Sequence, residues 1–443
     1  MNIKIDSRKV ENGDTFIAIR ELNNDGHKYI EDAINNGATT VIVEEGEYSV
    51  TTIVVNDTKK YLKEYLENNY YDKIKKLKLI GMTGTNGKTT TCYLIYQALN
   101  KIGIKCAYIG TLGFYTDKQR ELSNTTPNLY ELYNMLLECE ENNYEYVVME
   151  VSSQGISMGR VDTLLFDYVI FSNLTQDHLD YHQNIENYVL EKQKLFNMTR
   201  EGIAIINNDD TYKNYFLLNN TNITYGKNNS DYNIKIIEST LNGTKFNLNN
   251  EEYFTKLIGE YNVYNISIVI ILFKLLNIEN IENIIKELKC PNGRMDIIKY
   301  NENNIIIDYA HTPDAVEKII KEVSKIKHNK IITIIGCGGN RDKTKRTIMG
   351  DIATTYSDFV IFTSDNPRYE KPKKIINDIT CKLDNKNYKI IVKRKKAIKN
   401  GIQMLSKNDI LLLLGKGHED YQVIKDKKIP FSDKNIVLKY IRR

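Results

Sequence analysis

The chain has 443 residues, 41% of them hydrophobic and 27% charged, with a formal net charge of +4 at pH 7. That length exceeds one ordinary core and predicts two or three domains in a soluble globular protein. So slight a charge gives no reason to expect nucleic acid or membrane lipid as a partner, and the run Lys393-Arg394-Lys395-Lys396 is expected to be a solvated surface. The start, Met1 to Asp6, lacks the apolar core of a signal peptide. Aliphatic runs such as Ile410–Leu414 are far too short to cross a bilayer. Six cysteines without paired spacing read as reduced thiols, and a cytoplasmic location is expected.

Residues 1–75 read as a small N-terminal α/β domain. Apolar runs at 15–19 and 40–43 flank a helical pattern at 29–35, and a polar, basic stretch at 70–78 closes the unit. Over 76–290, strand-like runs (Tyr146-Val147-Val148-Met149, then 168–171 and 204–206) alternate with helical segments, predicting a mainly parallel sheet covered by helices. Short alternating runs within 226–258 predict peripheral antiparallel hairpins. A second βα alternation fills 291–443, with strand runs at 305–307, 330–335, 359–362, 389–392 and 410–414. The predicted class is α/β in three domains, with ligands gathered at the carboxyl ends of strands.

The segment Gly84-Thr85-Asn86-Gly87-Lys88-Thr89-Thr90 follows an apolar run and precedes a helical pattern. Glycines there let backbone N–H groups close around phosphate oxygens, and the helix N-terminus adds positive potential. Lys88 is suited to the β- and γ-phosphates and the Thr89 hydroxyl to Mg²⁺, so ATP binding is predicted. Met82 stands where the generic loop carries a glycine, which comes at Gly84 instead.

Polar clusters follow several other strand runs. Glu150 ends one, placed as a second Mg²⁺ ligand would be. Asn173-Leu174-Thr175-Gln176-Asp177-His178 follows the next and, with His182, holds two of the chain's six histidines. In the C-terminal unit, clusters at Asp308–Pro313, Gly336–Lys343, Asp365–Arg368 and Gly415–Glu419 follow four strands and together predict a binding face.

The loop Gly84–Thr90 resembles that of the Mur ligases, ATP-dependent amide-forming enzymes of peptidoglycan synthesis. Asp6-Ser7-Arg8, Asp25-Gly26-His27, Asn124-Thr125-Thr126-Pro127-Asn128, Met149-Glu150-Val151-Ser152-Ser153, Asp177-His178-Leu179-Asp180-Tyr181-His182, Gly293-Arg294-Met295-Asp296, Asp308–Pro313 and Gly415–Glu419 resemble, in family order, the branch that adds the third residue of the stem peptide. The likeness covers essentially the whole chain. It implies a UDP-binding domain (1–75), a central P-loop ATPase (76–290) and a C-terminal Rossmann-like domain for the incoming amino acid (291–443), in a monomer that handles only small molecules.

The resemblance also implies roles. ATP would lie on Gly84, Thr85, Asn86, Gly87, Lys88, Thr89 and Thr90, with Asn262, Asn265, Arg294 and Asp308. The UDP-muramoyl-dipeptide would be held by Ser7, Asn124, Thr125, Thr126, Ser152 and Arg160. Mg²⁺ would be held by Thr89, Glu150, His178 and Lys192, the last as the family's carbamylated lysine; Lys88, Glu150, His178 and Lys192 would be catalytic. From the residues alone, Lys192 reads as a solvated helix charge. Asp365-Asn366-Pro367-Arg368 matches the form that takes meso-diaminopimelate, whose distal carboxylate a guanidinium can fork onto, with Arg341, Gly415 and Glu419 as further contacts. A lysine-adding or folylpolyglutamate-synthase-like ligase is the neighbouring alternative. Gln154 stands where many relatives carry histidine, and Met158 where some carry glutamine.

Overall fold

The computed structural model describes residues 2–21, 24–218, 221–326 and 329–442. The chain forms two compact units, one built from the segments up to Thr83, Ile102–Ile170 and Glu191–Ile203, the other from Gly84–Lys101, Phe171–Leu190 and the chain from Ala204 onward.

In the first unit, four strands pair in the order Ile3–Lys4, Thr15–Ile17, Thr40–Val43 and Thr51–Val54, all parallel. Their apolar face closes over Val10, Phe16, Ile30, Ala33, Val41 and Val43, with the short helix Ile30–Asn35 contributing two of these. A helix of 17 residues follows, Thr58–Ile74, begun by the Asp57 carboxylate accepting from the Lys60 N–H. The sequence reading missed it: the stretch 70–78 is helical to Ile74, because Leu62, Leu66 and Ile74 give the helix a buried stripe under its polar surface. A second sheet places strand Lys78–Thr83 between Tyr146–Glu150 and Phe166–Phe171, with Cys106–Gly110 beyond Tyr146–Glu150. Lys78–Thr83, Tyr146–Glu150 and Cys106–Gly110 run parallel and are wholly or almost wholly buried, as such apolar runs require.

In the second unit, helix Lys88–Lys101 packs against helix Glu260–Leu275, which is apolar nearly all round and buried from Asn262 to Phe273 except at Tyr264. Strands Tyr232–Thr240, Gly243–Leu248 and Glu251–Thr255 form the expected antiparallel hairpins. A six-stranded sheet has the order Asp296–Tyr300, Asn303–Asp308, Ile410–Leu414, Ile331–Ile335, Phe359–Phe362, Tyr388–Ile390. Only the first strand is antiparallel, and it was not anticipated. Cores cover both faces: Val316, Ile320, Val323, Met349 and Ile376 on one, Ala397, Ile398, Ile402 and Val437 on the other.

One expectation is corrected. Within the basic run 393–396, Arg394 is fully buried and not solvated; its guanidinium takes both carboxylate oxygens of Asp433 at 2.8 and 2.6 Å and donates to the Leu414 carbonyl. No helix among the described residues is long and apolar enough to cross a membrane.

Candidate functional site

Strand Lys78–Thr83 runs straight into the loop Gly84–Gly87, and helix Lys88–Lys101 opens at Lys88. Gly84 has φ +145°, and a Cβ there would lie 2.0 Å from the Ser172 hydroxyl, so no other residue fits. Asn173 braces the loop: its carbonyl accepts from the Thr85 N–H at 2.7 Å, its Oδ1 from the Asn86 N–H at 3.0 Å, and its Nδ2 donates to the Asn86 carbonyl. Lys88 Nζ curls over the loop onto the carbonyls of Gly84 and Thr85, at 2.8 and 3.0 Å. Thr89 and Thr90 are buried at the helix start.

Asn265 Oδ1 accepts from the Thr91 hydroxyl at 3.1 Å, and its Nδ2 donates to Asn262 Oδ1, which ties both asparagines beside the first turn of the loop's helix. Asn86 Nδ2 reaches Asp314 at 3.0 Å, in the first turn of helix Pro313–Ser324. His178 has φ +53° and caps the short helix Leu179–His182, with Nε2 3.5 Å from Asp177.

Within the first unit, Glu150 ends its strand opposite Met82 and is buried. Its Oε1 accepts from the Tyr108 hydroxyl at 2.5 Å and the Thr111 N–H at 2.9 Å, its Oε2 from the Thr111 hydroxyl at 3.2 Å. Tyr108 and Thr111 were missed by sequence reasoning; only their place within and just after a neighbouring strand could have signalled them. Thr125 meets the same Thr111 hydroxyl, and Thr126 bonds both the Glu150 carbonyl and Ser152. Arg160 donates to the Thr126 carbonyl at 2.7 Å. Thr125, Thr126, Ser152 and Arg160 therefore gather around Glu150, whereas Asn124 is exposed and Ser7 lies in the four-stranded part, its carbonyl bonded by Asn36. Lys192 is 1% exposed, so the solvated-charge reading fails. Lys194, two residues on, is mostly exposed and paired with Glu191.

Among the described residues no group of three or more His, Cys, Asp or Glu side chains is drawn together to hold a metal ion. The residue types nevertheless fit Mg²⁺, which prefers one or two carboxylates and completes its shell with substrate phosphates and water. Glu150 supplies such a carboxylate, already oriented by its hydrogen bonds.

The C-terminal strand ends converge. Asp308 receives the N–H groups of Met295 and Ala310 at 2.7 and 2.8 Å; burial pushes its carboxyl up, and Arg294 opposes that shift. The Arg294 guanidinium lies 4.5 Å from the Tyr309 ring centroid. Arg368 sits at φ +50°, strained for a non-glycine residue, and donates to the Gly339 carbonyl at 2.9 Å. Burial lowers its pKa, and repulsion from Arg341 lowers it further. Asn366 Nδ2 donates to Glu419 Oε2 at 2.8 Å. Asp365 Oδ1 accepts from the Asn366 N–H while Oδ2 is buried without a hydrogen bond, facing Gly415. A Cβ at Gly339 would meet the Pro367 carbonyl at 2.0 Å, so the two loops touch through their backbones. Arg341, Asp365, Asn366, Pro367, Arg368, Gly415 and Glu419 thus belong to one cluster at the carboxyl ends of three strands.

Three family models match the chain: "Mur ligase family, catalytic domain" over residues 1–78, "Mur ligase middle domain" over 82–273, and "Mur ligase, glutamate ligase domain" over 293–417. The UDP-N-acetylmuramoyl-L-alanyl-D-glutamate–2,6-diaminopimelate ligase of Clostridium perfringens is 41% identical, covering 98% of this chain and 94% of its own length. The ligase of the same name from Aquifex aeolicus is also 41% identical, covering 98% and 92%. A solved structure of a ligase of that name has a TM-score of 0.70 at 32% identity, covering 99% of this chain and 94% of its own.

Proposed function

The chain belongs to the Mur ligase family, and from that premise we propose that it joins meso-diaminopimelate to UDP-N-acetylmuramoyl-L-alanyl-D-glutamate while converting ATP to ADP and phosphate. We further propose three functional domains, 1–75 for the UDP moiety, 76–290 for ATP and 291–443 for the amino acid, in a cytoplasmic monomer.

The chemistry begins from a repulsion problem. A carboxylate is a hopeless acylating agent because its leaving group would be oxide. Its oxygen must therefore attack the γ-phosphorus of ATP, forming an acyl phosphate and releasing ADP, although both reactants are anionic. Lys88, swung from the Gly84 and Thr85 carbonyls onto the phosphates, offsets that charge, and the loop N–H groups hold it in place. Mg²⁺, when bound by Glu150, Thr89, His178 and carbamylated Lys192, supplies charge neutralisation at the transferring phosphoryl group. Ser7, Asn124, Thr125, Thr126, Ser152 and Arg160 orient the acid; Asn262, Asn265, Arg294 and Asp308 orient the nucleotide. The free amine of the incoming amino acid then attacks the acyl carbon, the C–O bond to phosphate breaks, one proton is lost, and an amide remains.

The observation that carries the substrate assignment is the pairing of Arg368 with Arg341 beside Glu419. Two mutually repelling guanidiniums seek a carboxylate, which lysine's far end lacks and that of diaminopimelate has. ATP-dependent phosphate release measured with each amino acid in turn tests this: diaminopimelate supports turnover and lysine does not. Equal turnover with lysine overturns the specificity.

A further inference from the structure

We propose that Lys416 is the positioning residue of the amino-acid site: by orienting and neutralising Glu419 it restricts the site to an amino acid whose far end carries both an ammonium and a carboxylate. This rests on the reading of Glu419, Arg341 and Arg368 as the contacts to that far end.

Lys416 follows Gly415 at the end of strand Ile410–Leu414 and is completely buried. Its Nζ donates to Glu419 Oε2 at 2.6 Å and to Asn366 Oδ1 at 3.1 Å, and Asn366 Nδ2 closes the ring on the same Glu419 oxygen at 2.8 Å. Asn366 cannot rotate out of this ring cheaply, since its Oδ1 also accepts from the Val423 N–H at 3.0 Å. A buried ammonium is costly to keep, and a buried ion pair is poor evidence of a stabilising role, so its use must be sought in geometry and charge. Both donors occupy Oε2. Oε1 is the oxygen left facing an incoming ammonium.

Charge around the ring is set locally. Arg394 pairs with Asp433 and Arg346 with Glu370 and Asp378, and Lys416 already balances Glu419. Arg341 and Arg368 stand beside that balanced pair. A far end that brings only an ammonium adds an uncompensated cation beside those guanidiniums; one that also brings a carboxylate is neutral as a whole and sets that carboxylate against them. Removing the Lys416 charge leaves Glu419 fully anionic and able to hold any diamine, so the penalty against lysine falls.

The test is steady-state kinetics of the full chain as wild type, K416M, K416R, E419Q and K416M/E419Q, with diaminopimelate, lysine and ATP varied in turn. In K416M the KM for diaminopimelate rises about tenfold or more while the KM for ATP changes by less than about twofold, and the preference for diaminopimelate over lysine falls about tenfold. In the E419Q background K416M adds less than about twofold, because Lys416 acts through Glu419. K416R keeps the charge and retains the preference; should K416M fail to fold, loss of the preference in folded K416R overturns the proposal. Equal losses for both amino acids in K416M, or a full additional effect on top of E419Q, also overturn it. A wild-type enzyme inactive with diaminopimelate would sink the proposed function itself, whereas active wild type with an indifferent K416M sinks only the role of Lys416.

Discussion

Tyr108 donates its phenolic hydrogen to Glu150 Oε1 at 2.5 Å, and Thr111 donates its N–H to the same oxygen and its hydroxyl to Oε2, so the carboxylate is held in one orientation. Partners of this kind set the direction of a metal-binding carboxylate, and their loss typically weakens metal binding about 10–100-fold. In Y108F the Mg²⁺ concentration for half-maximal activity therefore rises about tenfold or more, with a stability loss of about 1.5–3 kcal/mol from the lost hydrogen bond to the carboxylate. Mn²⁺ binding followed by electron paramagnetic resonance gives a readout independent of turnover. An unchanged metal requirement contradicts the assignment.

Lys192 is buried at 1% exposure, and reaction of its amine with CO₂ would place an anionic oxygen ligand there. K192A loses activity by about 100-fold or more, the scale of a lost charge-stabilising group, and short carboxylates such as formate restore part of it by standing in for the carbamate oxygens. Full activity of K192A without added carboxylate contradicts the carbamate.

Arg368 can grip a distal carboxylate with two parallel hydrogen bonds, which a lysine ammonium cannot reproduce. R368K raises the KM for diaminopimelate about 10–100-fold with the KM for ATP unchanged. A matching rise for ATP would place Arg368 elsewhere in the reaction.

His418 is held at a pKa of about 4, below its usual 6.5, by burial and then by repulsion from Arg294. The unfolded chain thus binds a proton at this position that the folded chain refuses. The stability tied to the neutral ring is fully present above about pH 6.5 and is lost progressively as pH falls toward about 4. Allowing for its partial exposure, the loss between pH 7 and 5 is on the order of 1 kcal/mol. Thermal unfolding of wild type and H418Q at both pH values checks it: the drop is smaller in H418Q, and an equal drop in both contradicts the linkage.

The parts of the site that were legible in the sequence are those where local backbone geometry dictates residue type. Gly84 and Gly87 announce the phosphate loop because the chain there adopts positive φ, and the polar clusters after Ile335, Phe362 and Leu414 announce the second binding face because parallel strands end there. What stayed hidden depends on partners far away in sequence. Tyr108 becomes a clamp only because Cys106–Gly110 pairs with the strand that ends in Glu150. Asn173 braces a loop 87 residues before it. Arg394 looked like part of a charged surface because Asp433, 39 residues later, is what buries it. Lys192 shows the same limit, since a helical lysine reads as solvated until the fold covers it.

The most direct measurement supplies the enzyme with ATP, diaminopimelate and UDP-N-acetylmuramoyl-L-alanyl-D-glutamate whose reacting carboxylate carries ¹⁸O, followed by mass spectrometry of the product and the phosphate. A ligase acting through an acyl phosphate yields the muramoyl-tripeptide with one labelled oxygen retained at the new amide, and the other recovered in inorganic phosphate, one phosphate per amide. Unlabelled phosphate, or ATP consumed without a ligated product, would contradict the account.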